Sequence, residues 1–144
     1  MACLAHEATH RLFAHMFGMR VEYRFWPAGS GLTLVSSYLG NAFSVQGFLL
    51  EDIPKNVEKW KVGIMKLAAP ALSAAVMVVF AYLNYVHPER LYVEIYSISA
   101  LWAMAEMLPF RGLDGKEIIE WNRNVWLVAF VAIAACYIAV TFVL

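Results

Sequence analysis

Near the start of the chain, His6-Glu7-Ala8-Thr9-His10 sets two imidazoles and a carboxylate within about one helical turn of each other. Four residues on an α-helix advance about 40° past a full turn, so His6 and His10 leave the same face with Glu7 beside them. Two imidazoles so placed can hold one Zn²⁺, which lowers the pKa of a bound water toward neutrality, while the neighbouring carboxylate takes that water's proton. The spacing is the zinc signature H-E-x-x-H, and the chemistry it points to is metal-assisted hydrolysis.

Such a site needs a third protein ligand. The long form of the signature would require Gly at position 13 and His at 16, where this chain has Phe13 and Met16. His15 lies about 140° around the helix from His10 and points elsewhere. Downstream carboxylates remain. Glu94 and Glu106 lie in an apolar segment where an unpaired carboxylate is costly. Asp114 follows Pro109 and precedes Gly115, whose freedom lets the backbone turn tightly. Asp114 with Glu117 three residues on also fits a capping box opening a short helix toward Trp121. All three carboxylates stay open on these grounds.

The elements that must position these groups belong to a membrane protein. Apolar residues make up 62% of the 144 residues and charged residues 15%, outside the range of a soluble domain. Net charge is zero, which gives no reason to expect a nucleic-acid partner. Cys3 and Cys136 have neither metal-knuckle nor redox spacing. Four apolar helical segments are expected at about 2–17, 64–86, 91–108 and 125–144, forming one membrane-embedded domain over 1–144. Only five residues precede His6, about 7 Å of helix against a hydrocarbon core of about 30 Å. The first helix therefore enters the membrane only partly unless sequence lies upstream. Pro70 should kink or begin the regular part of the second helix, whose Ala69, Ala71, Ser73, Ala74 and Ala75 allow close packing. His87-Pro88-Glu89-Arg90 forms a tight turn to the third.

Lysines and arginines cluster before the second helix and between the third and fourth, whereas the opposite turn carries only Arg90. The positive-inside rule places those connections in the cytoplasm, with the metal site reached from that side. Trp26, Trp60, Trp121 and Trp126 read as interface anchors, and His15 and His87 as interfacial or exposed.

Between the first two helices the pattern changes. Val21, Tyr23 and Phe25 alternate with Glu22, Arg24 and Trp26, Pro27-Ala28-Gly29-Ser30-Gly31 supplies turn residues, and Leu32–Leu39 is rich in strand formers. This predicts a β-hairpin region over about 21–46, with a third strand near Ala42–Gln46. Its free edge could take an extended peptide by strand addition. Pro54–Trp60 reads as a short polar surface helix. The expected class is mainly α, a polytopic helical membrane protein with a small sheet inserted after the zinc-bearing helix.

The order of H-E-x-x-H, a hairpin-like connection, Ala68-Ala69-Pro70 opening a helix, and Pro109 followed five residues later by Asp114-Gly115 resembles the core of the site-2 protease family of intramembrane zinc metalloproteases. The resemblance covers roughly residues 1–122. It implies one zinc held by His6, His10 and Asp114, with Glu7 as general base. The implied reaction is cleavage of a peptide bond in or near the transmembrane segment of a membrane-anchored protein. The expected setting is a multi-pass protein of a prokaryotic cell membrane. The family usually has Asn where this chain has Glu106, which could contact substrate or the developing oxyanion only if protonated. The family's usual Gly before the proline is Ala69. The competing readings are a non-catalytic membrane protein with a structural or regulatory zinc, and a metal transporter, for which more sets of ligands along the spans would be expected.

Overall fold

The computed structural model describes residues 2–19, 22–25, 27–38, 48–51 and 57–142. The first helix, α1 (Ala2–Met16), ends because Gly18 takes a left-handed φ of 66°. The Gly18 and Met19 amides turn back to donate to the carbonyls of His15 and Ala14 at 3.0 and 2.8 Å, a Schellman closure. Met19 is thereby buried with Ala14 against Met65, which pins the end of α1 to a later helix.

The expected hairpin does not form. Strand β1 (Glu22–Phe25) is present, but the segment expected to turn and return as a second strand is instead a helix, α2 (Pro27–Tyr38). Proline at the first helical position accounts for this, because its fixed φ suits a helix start and its missing N–H would have had no partner there. Pro27 therefore starts a helix where a turn was expected. The strand that pairs with β1 is β2 (Phe48–Glu51), antiparallel, with Glu22 opposite Glu51 and Phe25 opposite Phe48. The return strand of that hairpin, expected to begin at Leu32, is replaced through Tyr38 by α2. The third strand expected near Ala42–Gln46 lies outside the described residues, as do Trp26 and Pro54–Asn56. Lys59 and Trp60, expected in a surface helix, open the next long helix instead.

That helix, α3 (Lys59–Val86), is the organising element. At 28 residues it runs about 42 Å. Small buried residues, Gly63, Ala69, Ser73 and Ala81, let α1 and the later helices approach it closely. In the turn at its end, the Glu89 amide donates to Asn84 Oδ1 at 3.1 Å. The chain then returns as α4 (Arg90–Glu106), continues into the short α5 (Asp114–Trp121), and finishes in α6 (Arg123–Phe142). Met77, Ala81, Ala100 and Val140 form one core layer, and Ala103, Met107, Ile118 and Ile133 form another nearer the carboxylates.

Among the described residues, two helices, α3 and α6, are long and apolar enough to cross a membrane. They differ in cover: 39% of the apolar stretch of α3 is buried by the rest of the chain, against 11% for α6. On α6, Leu127, Val128, Val131 and Ile138 are all more than half exposed.

Candidate metal centre

His6 and His10 come from consecutive turns of α1, and both are buried to 1% exposure. Their Nε2 atoms lie 3.0 Å apart. Asp114, the first residue of α5, completes a triangle, its Oδ2 lying 3.2 Å from His6 Nε2 and 3.0 Å from His10 Nε2. These three residues form a buried group able to hold a metal ion.

The hydrogen bonds around the triangle decide what those atoms are. His10 Nδ1 lies 3.1 Å from the Met65 carbonyl oxygen, which can only accept, so Nδ1 carries a proton. In neutral His10, Nε2 is then a lone pair, and it faces the Asp114 carboxylate and the second imidazole. Asp114 Oδ2 receives no hydrogen bond from the described residues. With His6 Nε2 also presenting its lone pair, as a metal ligand does, the three would be acceptors that repel unless a cation lay among them. Zinc bonds of about 2.0–2.1 Å in a tetrahedron separate ligand atoms by about 3.3 Å, close to the edges observed, and three protein ligands leave a fourth position open. The donor set fits zinc.

The carboxylate is held in place from the other side. Lys66, on α3 and 8% exposed, donates from Nζ to Asp114 Oδ1 at 2.9 Å. Burial pushes the Asp114 carboxyl up, but the Lys66 ammonium beside it is the largest opposing influence, and the group lies well below the usual carboxylate range. Asp114 is therefore ionised, as a ligand must be.

The approach of α5 to this point requires a glycine. A Cβ on Gly115 would lie 2.2 Å from the Met107 carbonyl oxygen and 2.6 Å from that of Leu108, so only glycine lets the start of α5 rest on the end of α4. This corrects the expected reason for Gly115, which is close backbone contact; the left-handed turn falls earlier, at Gly112 with φ 96°. The cap of α5 is Leu113, without a side-chain hydrogen bond, so Asp114 is free of the capping role its spacing also allowed.

The other carboxylates separate clearly. Glu94 pairs with Arg90 at 3.0 Å on an exposed face, twelve residues and about 18 Å of helix from Glu106. Glu106 is 2% exposed, faces the Asp114 backbone amide, and lies close enough to Glu7 for the two charges to interact. Glu7 is half-buried beside His6. His15 and His87 are exposed.

Three participants were missed in the sequence. In the sequence Lys66 is one of the basic residues around the start of the second helix, although a lysine inside an apolar run is costly enough to signal a partner. The Met65 carbonyl has no sequence signal. Trp102, whose indole lies 6.3 Å from the His6 ring between centroids, has a buried Nε1 with no partner among the described residues. Beside His6, a cavity of about 500 Å³ opens between α1, α3 and α4, lined by Leu72, Ser73, Val76, Phe80, Ile95 and Ser99 among others.

The chain is 28% identical over 131 residues to the protein of Methanocaldococcus jannaschii named "Putative zinc metalloprotease MJ0611", an alignment covering 85% of this chain and 67% of that protein. No family model matches the chain, and no solved structure matches it. The zinc in that protein's name agrees with the buried His, His, Asp group found here.

Proposed function

We propose that the protein is an intramembrane zinc endopeptidase of site-2 protease type, cleaving a membrane-anchored protein in or near its transmembrane segment. The observation that carries this reading is the buried triangle of His6, His10 and Asp114 with Glu7 beside it and outside it. A purely structural site has no need of a further carboxylate next to two of its ligands.

A zinc ion held by the three ligands would polarise a scissile carbonyl and lower the pKa of water at its open position. Glu7 takes the proton of the attacking water at a carboxylate oxygen and gives it to the leaving amide nitrogen as the C–N bond breaks. The apolar cavity beside His6 suits the side chains of a transmembrane segment better than those of a soluble peptide. The exposed apolar flank of α6 supports lipid around the molecule, and the basic connections support a site reached from the cytoplasm.

Glu7→Gln tests the reading with almost no change of shape. The purified variant should keep its zinc and lose cleavage of a membrane-embedded test substrate by about 10²–10⁴-fold, the range for loss of a general base. Cleavage at the wild-type rate overturns the assignment.

A further inference from the structure

We propose that Lys66 is a positioning residue of the metal centre: it holds Asp114 Oδ1, so that Oδ2 alone is presented to the ion. It acts from the same turn of α3 that orients His10 through the Met65 carbonyl. The inference rests on the metal site described above and not on the reaction assigned to it.

Two adjacent residues of one helix serve two of the three ligands. The Met65 carbonyl accepts from His10 Nδ1 at 3.1 Å, fixing the tautomer and the ring, and Lys66 Nζ donates to Asp114 Oδ1 at 2.9 Å. Pro70 has no N–H to offer the Lys66 carbonyl four residues back, so the backbone ladder is interrupted at this turn. Met65 is fully buried and packed against Ala14 of α1, so the turn is held rigidly against the zinc-bearing helix.

Geometry makes the lysine specific. A carboxylate with both oxygens free can swing to bind a metal through both, or rotate away from it. With Oδ1 taken at 2.9 Å, Oδ2 is left 3.0 and 3.2 Å from the two imidazole nitrogens. Glu106 and Glu117 lie within electrostatic reach of the lysine, which makes it a cation shared among three carboxylates. Groups that hold a metal ligand by its far atom typically change affinity by about 10–100-fold when removed.

The test uses the full chain in detergent and reads metal, not proteolysis. Lys66→Met keeps the apolar stem and removes the donor. It should weaken Zn²⁺ binding by about 10–100-fold in chelator competition, and in the Co²⁺-substituted protein it should shift and weaken the visible absorption bands as Asp114 changes its mode of binding. Lys66→Arg, which restores a cationic donor, should recover most of the affinity and the wild-type spectrum. Where Lys66→Met does not fold, Lys66→Gln, whose amide is too short to reach Oδ1, should show the same loss. A folded Met or Gln variant with unchanged affinity and an unchanged Co²⁺ spectrum overturns the proposal while leaving the site intact. A wild-type protein that binds neither ion removes the site and the proposal together.

Discussion

At the scale of single residues, the described site consists of few groups with fixed roles. Asp114→Ala should take zinc content from stoichiometric to background by elemental analysis, while Glu94→Ala, on an exposed face with Arg90, should leave it unchanged. Retention of zinc without Asp114 would return the search to Glu106, the remaining buried carboxylate beside the triangle. His6 and His10 could be read in the sequence because a helix converts a spacing of four into shared direction without help from the rest of the chain. Asp114 could be placed only through a resemblance, since nothing local distinguishes a ligand from a helix cap. Lys66 escaped notice for the opposite reason: its partner is 48 residues away, and only the crossing of α3 and α5 reveals the pair.

At the scale of elements, two glycines set how closely helices meet. Gly115→Ala drives a Cβ into the Met107 backbone, and Gly63→Ala drives one to 2.1 Å from the Trp121 ring. Each should cost about 1–3 kcal/mol, read as a lower melting temperature in detergent. Gly115→Ala should also reduce metal affinity, because it displaces the residue next to a ligand. Gly31→Ala is the control: open space surrounds its Cβ within α2, and alanine favours the helix, so stability should hold or rise. The long apolar helices were legible because burial and length are written into composition. The 27–38 segment was not, because proline and glycine mark a turn and a helix start alike, and only the pairing of β1 with β2 separates the two.

At the scale of the whole molecule, α6 is less covered by its own chain than α3. Val131, 55% exposed near the middle of that helix, should face hydrocarbon. Val131→Lys should then disfavour membrane insertion by about 2.5–3.5 kcal/mol on the translocon scale, measured with a glycosylation reporter flanking the helix. An unchanged inserted fraction would mean that α6 does not sit in the bilayer.

The third corner of the triangle arrives on α5, more than a hundred residues after the first two. Until Asp114 has been made, a growing chain carries the two imidazoles without the carboxylate oxygen that Lys66 anchors beside them. Under the proposed function, hydrolytic capacity would require α5 to be in place against α3. On the proposed reading, the apolar helices α3 and α4 would thus be made before the site that cuts such segments is complete.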